Sequence, residues 1–187
     1  MSEVANQEDV LKYQLVGLIP HLRRFARSLT RDPDKADDLV QEACERVLKR
    51  RKRVETPRKL QNLLFRIIYN RWIDTLRRRK TRSTNLIILS ERNSLNPSDP
   101  HGGNQLDAVL DLEDALAKLD DQHRAAIMLI GVEGYSYAEA ANVLAVPAGT
   151  VASRVARARA KLGKLLFSPK RDPLGLKKSG KENESGI

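Results

Sequence analysis

The chain has 187 residues, with 34 Lys and Arg against 24 Asp and Glu and a formal net charge of +10. That surplus favours a polyanionic partner, of which nucleic acid is the simplest. The single cysteine, Cys44, excludes an internal disulfide and a cysteine-based zinc site, and no apolar run approaches the roughly 20 residues that span a bilayer.

Residues 1–9 are acidic and polar rather than signal-peptide-like, so we expect a cytoplasmic protein without membrane insertion, carrying a short N-terminal extension. Residues 10–82 are helical in pattern. Asp32-Pro33 is an N-cap followed by proline at the first helical position, and Thr56-Pro57 repeats the device. The helix after Pro33 places Ala36, Leu39, Val40, Ala43 and Val47 on one face, with Asp34, Asp37, Asp38 and Glu42 along its acidic surface. The helix after Pro57 turns Leu60, Leu63, Leu64, Ile67, Ile68, Ile73 and Leu76 inward. Its exterior is expected to be Arg66, Asn70, Arg71, Trp72, Arg77, Arg78, Arg79 and Lys80. A helix C-terminus favours one or two cations through its dipole. Four in a row point to an anion lying against them.

Residues 83–105 contain two prolines, a Gly-Gly pair and many Ser and Asn residues. That is linker chemistry, with one apolar island at Leu86, Ile87, Ile88 and Leu89. Residues 106–168 form a second helical block, and a basic tail of disordered composition follows over 169–187. The expected fold is all-α: two small helical domains joined by a flexible linker.

Residues 136–161, SYAEAANVLAVPAGTVASRVARARAK, carry the sharpest signal. Ser136 and Glu139 have capping-box spacing, and Ala138, Ala141 and Leu144 follow as an apolar stripe. Val146-Pro147 interrupts the pattern. A second helix then opens at Gly149-Thr150 with Val151, Val155, Ala158 and Leu162 on one face and Arg154, Arg157, Lys161 and Lys164 on another. This is a helix-turn-helix, whose second helix enters the DNA major groove. A solvated amphipathic hairpin is the competing reading.

Nothing in the sequence supports an enzyme. P-loop, G-x-G-x-x-G, H-E-x-x-H and G-x-S-x-G motifs are absent, and His21, His101 and His123 are far apart. Carboxylates at 34, 37, 38 and 42 on one helix form a solvated or partner-binding face more readily than a metal site. No cofactor and no metal are expected.

Three motifs in order resemble the bacterial extracytoplasmic-function (group 4) sigma factors. Residues 31–42, RDPDKADDLVQE, match R-D-x-x-x-A-D/E-D-L-V-Q-E, and residues 66–80, RIIYNRWIDTLRRRK, match R-I-x-x-N-x-x-I-D with its basic continuation. Residues 134–159, GYSYAEAANVLAVPAGTVASRVARAR, fit the second-domain motif along its whole length. The chain departs from the pattern at Leu63 or Leu64, where Trp is common, at Leu119-Asp120 for Leu-Pro, and at Ala152 for a basic residue. The last departure concerns one DNA contact rather than the fold.

The resemblance implies a first domain (residues 10–82) that binds core RNA polymerase and opens the −10 element, and a second (residues 106–168) that reads the −35 element as duplex. Asp38, Leu39, Val40, Gln41 and Glu42 then match the polymerase-binding motif. Arg66, Asn70, Arg71, Arg77, Arg78 and Arg79 match the promoter-melting segment, with Asn70 suited to reading an unpaired base through its donor and acceptor. Trp72 suits base stacking or a core place equally. Thr150, Ser153, Arg154, Arg157 and Arg159 fall to −35 recognition, with Arg154 suited to a bidentate guanine contact and one of Arg157 and Arg159 open to an inward role. The implied partners are core polymerase, promoter DNA and an anti-sigma factor that would clamp the domains together. Without coiled-coil heptads, the free chain is expected to be monomeric. The rival reading is a helix-turn-helix regulator that binds a duplex operator without polymerase.

Overall fold

A computed structural model describes residues 2–50, 56–85 and 105–167. Among them the order is α1 (Ser2–Thr30), α2 (Pro33–Arg50), α3 (Pro57–Asn85), α4 (Gln105–Ala117), α5 (Asp121–Gly131), α6 (Tyr137–Leu144) and α7 (Ala148–Phe167), with no strand. The apolar island at 86–89 and the tail lie outside the described residues.

Local chemistry sets the helix boundaries. Arg31 ends α1 in the left-handed region, φ 56°, with its N–H donating to the Arg27 carbonyl at 2.9 Å. Asp32 Oδ1 then accepts from the N–H groups of Asp34 and Lys35, both at 3.1 Å, which caps α2. Thr56 Oγ1 accepts from the Lys59 N–H at 3.2 Å at the head of α3. Asp120 caps α5 by accepting from the His123 N–H at 3.0 Å. The Ser136–Glu139 capping box is present in both directions. Ala145, at φ 53°, closes α6 before the Val146-Pro147 turn.

α1, α2 and α3 pack against one another around Leu22, Phe25, Leu29, Ala36, Ala43, Val47, Leu60, Leu64 and Ile68, all buried. In the second domain α5, α6 and α7 enclose Ala125, Leu129, Ala140, Val143, Leu144, Val151 and Val155. The buried face of α6 is therefore Ala140, Val143 and Leu144. Ala138, read from the sequence as part of the stripe, is exposed. The eight-residue helix is too short for its 3.6-residue period to fix the face without knowing where α5 and α7 lie.

The two domains are in contact, and their cores form one continuous apolar cluster. The join runs through α3. Besides the expected inward face, Phe65, Tyr69 and Trp72 are buried, giving α3 a second covered stripe at i, i+4 and i+7. Phe65 lies edge-to-face between Phe25 of α1 (centroids 4.9 Å) and Tyr135 before α6 (5.6 Å). Trp72, assigned to the exterior above, belongs instead to this covered stripe.

Arg124 is a second element of the join that patterning does not reveal. Its guanidinium is 1% exposed. It donates to the Leu116 carbonyl (2.8 Å), the Ala117 carbonyl (3.3 Å) and the Leu119 carbonyl at the end of α4. It also donates to the Ser28 (3.0 Å) and Leu29 (3.4 Å) carbonyls in the last turn of α1, and to Asp121 Oδ1 (3.1 Å). Two helix C-termini, each with orphan carbonyls and a negative dipole end, thus converge on one cation. Burial lowers the Arg124 pKa, with the charge of Arg31 acting in the same direction and Asp121 opposing them.

Candidate nucleic-acid interface

α7 presents its residues in the order that a groove-binding helix requires. At 100° per residue, the buried Val151, Val155 and Ala158 face the domain core. The opposite face carries Gly149, Ser153, Ala156, Arg157 and Lys164, all exposed. Small side chains along the centre leave that face of the helix low, and Arg157 stands on it with no partner among the described residues. Thr150 is half-buried, and its carbonyl accepts from Ser153 Oγ at 2.9 Å. Arg159 is exposed on one flank, facing neither the centre nor the core.

Arg154 occupies the other flank and turns back onto the protein. It is half-buried, and its Nη2 donates to Gln122 Oε1 of α5 at 2.6 Å. It also lies against Tyr69 of α3. Burial raises the Tyr69 hydroxyl pKa, and the charge and hydrogen bond of Arg154 partly offset that rise. The side chain read from the sequence as the guanine reader is thus turned toward the domain contact, while Arg157 is exposed.

On α3, Arg66, Asn70 and Arg77 are exposed and share one stripe, as spacings of four and seven require. Arg78 is exposed beside them. Arg79 is exposed as well, its guanidinium 6.0 Å from the Trp72 ring centroid. Arg71 is different: its Nε donates to Glu42 Oε2 at 2.8 Å, and its Nη2 lies 2.6 Å from Glu42 Oε1. The pair ties α3 to α2.

That pair also divides the acidic motif on α2. Val40 is 5% exposed and belongs to the core, and Leu39 is half-buried. Glu42 is engaged by Arg71 and Arg46, and Asp37 by Arg23 at 2.9 Å. The face open to a partner is Asp34, Asp38, Gln41 and Glu45, all exposed. Among the described residues, no group of three or more His, Cys, Asp and Glu is placed to hold a metal ion, and no helix is long and apolar enough to cross a membrane.

The carboxylates that join the domains carry no signal in the sequence. Glu133, buried, accepts from Arg24 Nε (3.0 Å) and Nη2 (2.9 Å) and pairs with His21 Nδ1 at 2.7 Å. Glu139, the capping-box residue, also accepts from Arg58 Nε (2.9 Å) and Nη2 (3.1 Å). Arg58 and the two bonds from Ser136 hold the Glu139 carboxyl down to about 2. The Arg58 guanidinium further sits 3.9 Å above the Tyr135 ring.

Comparison with known proteins gives this geometry its family. Residues 17–82 match the family described as sigma-70 region 2, and residues 110–162 match sigma-70, region 4. The chain is 36% identical over 159 residues to the ECF RNA polymerase sigma factor EcfG of Rhodopseudomonas palustris (strain TIE-1), covering 85% of this chain and 86% of that protein. It is 30% identical over 182 residues to the RNA polymerase sigma-E factor of Streptomyces coelicolor, covering 97% and 98%. Among solved structures it resembles the sigma factor RpoE in complex with the anti-sigma factor NepR from Bartonella quintana (TM-score 0.66, 34% identity, 83% of this chain and 95% of that one). It also resembles CnrH in complex with the cytosolic domain of CnrY (TM-score 0.60, 26% identity, 87% and 91%).

Proposed function

The chain belongs to the extracytoplasmic-function sigma factors of the sigma-70 family, and from that premise we propose a division of labour among its surfaces. It is a sigma factor. Region 2 opens and reads the −10 element through the exposed stripe of α3, and region 4 reads the −35 element through the outer face of α7.

The observation that carries this reading is the exposure of Arg66, Asn70 and Arg77 on one helix and of Ser153, Ala156 and Arg157 on another. Each set has the chemistry its target needs. Asn70 offers an amide to an unpaired base, and Arg66 and Arg77 offer charge to phosphates. Arg157 rises from a floor of small residues and reaches a base edge in a duplex groove, with Arg159 on the flank against phosphate.

Core polymerase docks on the acidic face of α2, led by Asp38 and Gln41. This face would repel DNA and suits a basic protein surface. The protein acts in the cytoplasm, where polymerase and promoter are, and contributes binding and strand separation rather than covalent chemistry. An anti-sigma factor is a further partner, on the strength of RpoE and CnrH having been solved with NepR and CnrY.

Run-off transcription with purified core polymerase tests the reading. Promoter-specific transcripts are expected from the wild-type chain, and Asn70→Ala should weaken strand opening and lose discrimination at one −10 position while still binding core. Binding to duplex operators without polymerase-dependent initiation would instead favour the regulator reading.

A further inference from the structure

Basic charge is concentrated near one end of this chain. Residues 157–181 hold nine Lys and Arg against a single acid, Asp172. The first four, Arg157, Arg159, Lys161 and Lys164, stand on the C-terminal half of α7 and are all exposed. α7 itself carries no acidic residue. The other five, Lys170, Arg171, Lys177, Lys178 and Lys181, follow in sequence outside the described residues. Like charges crowded this closely repel one another, and their density calls for an anion along the whole run.

The helix sets where that anion lies. Arg157 and Lys164 are seven residues apart, two turns less about 20°, so they share the outward face of α7 with a rise of about 10 Å between them. A straight helix meets the curved floor of a major groove over only a few residues. With Arg157 at a base edge, Lys164 therefore lies beyond the floor, level with the phosphates. The N-terminal half of the helix offers no such grip. Arg154 is its one cation and donates to Gln122, and Ala152 stands where the family pattern has a basic residue. Lys161 is tied back to the Lys118 carbonyl at 2.6 Å. The charge free to meet phosphate is thus shifted toward the C-terminal end of α7 and past it. From Phe167 to Lys181 the 14 residue steps reach about 48 Å when extended, the length of about 14 base pairs at 3.4 Å each.

We propose that Lys164 and the basic tail form one phosphate-binding arm that follows the duplex backbone beyond the −35 element, so that the sigma factor grips flanking DNA whatever its sequence. This rests on the −35 reading of α7 above. It adds a contact outside both promoter elements and gives the tail a function. The run begins on the face turned to a duplex, which carries one negative charge per about 1.7 Å of axis. That continuity favours DNA over an acidic protein surface. Each Lys or Arg of the arm releases counterions from one phosphate, which steepens the salt dependence of binding without favouring any base.

The test uses reconstituted holoenzyme and a promoter fragment with about 20 base pairs of duplex beyond the −35 element, more than the arm can span. In a chain with Cys44→Ser and Lys178→Cys, an iron chelate attached at position 178 cuts whatever backbone lies beside it. Cuts are expected in the DNA outside the −35 element and within about 14 base pairs of it. Separately, Lys164→Gln, Lys170→Gln, Arg171→Gln, Lys177→Gln and Lys178→Gln combined should flatten the plot of log affinity against log salt. The expected change is about 0.9 per contact, up to about 4.5 in all. Templates with intact and scrambled −35 elements should lose affinity alike. Cuts confined to polymerase subunits, or a slope that flattens by less than about 1, overturn the arm. Weaker binding of the combined variant to core polymerase without DNA also overturns it, and assigns the tail to a protein contact. Failure of the sigma-factor reading shows separately, as the absence of promoter-specific run-off by the wild-type chain.

Discussion

Replacing Arg124 by Met removes the cation at the junction of α1, α4 and α5 while nearly preserving side-chain volume. The carbonyls of Ser28, Leu29 and Ala117, covered by the side chain, lose their donor. Each buried acceptor left unpaired costs about 1–3 kcal/mol. Against this, the variant no longer holds a guanidinium out of water, a relief of several kcal/mol. The balance is a loss of about 3 kcal/mol, which for a chain of this size lowers Tm by roughly 6–12 °C. Arg124→Lys should fall between, because an ammonium keeps the charge but lacks the fork that reaches both helix ends. Thermal unfolding followed by circular dichroism at 222 nm measures both. A Tm for Arg124→Met within roughly 2 °C of wild type, less than 1 kcal/mol, would refute the claim that one arginine satisfies two helix termini.

Three further outcomes are expected. Arg157→Ala should lose about 1–3 kcal/mol of discrimination at one base pair of the −35 element. Arg154→Ala should affect it less, and competition binding with single-base duplex variants separates the two. Asp38→Arg should weaken core polymerase binding in a pull-down while leaving −35 duplex affinity intact, whereas Val40→Arg should unfold region 2. For pH, Glu139 has its folded-state pKa lowered to about 2 from an ordinary 4.5. Its stabilisation is therefore fully present above pH 4.5 and is lost as pH falls through about 2. Acid titration of Glu139→Gln should accordingly show a shallower loss of the α6 signal over that window, since Gln still completes the cap.

What the sequence made legible was local. The caps at Asp32, Thr56 and Ser136 were readable because each lies within three residues of the N–H it satisfies. The buried faces of α2 and α7 were readable because periodicity over 18 or 20 residues fixes an amphipathic stripe. The second buried stripe of α3 was hidden, because Phe65, Tyr69 and Trp72 are covered by segments distant along the chain. A helix clad on two sides loses the polar-against-apolar contrast by which a face is recognised. Arg124, Glu133 and Arg154 were hidden for a related reason. A charged residue reads as surface until the carbonyls or counter-ions that accept it are known, and those come from other elements. The same blindness joined Val40 and Glu42 to the polymerase-facing motif. One is core and the other ties α2 to α3, leaving Asp38 and Gln41 outward.

The most direct test of the central claim is promoter-specific initiation by the reconstituted holoenzyme on templates altered in one element at a time. Wild-type chain with core polymerase should lose run-off product when either the −35 or the −10 element is scrambled. Arg157→Ala should become insensitive to one −35 position, and Asn70→Ala to one −10 position, each without the other defect. Transcripts that ignore both elements, or variants whose defects do not separate by element, would contradict the account.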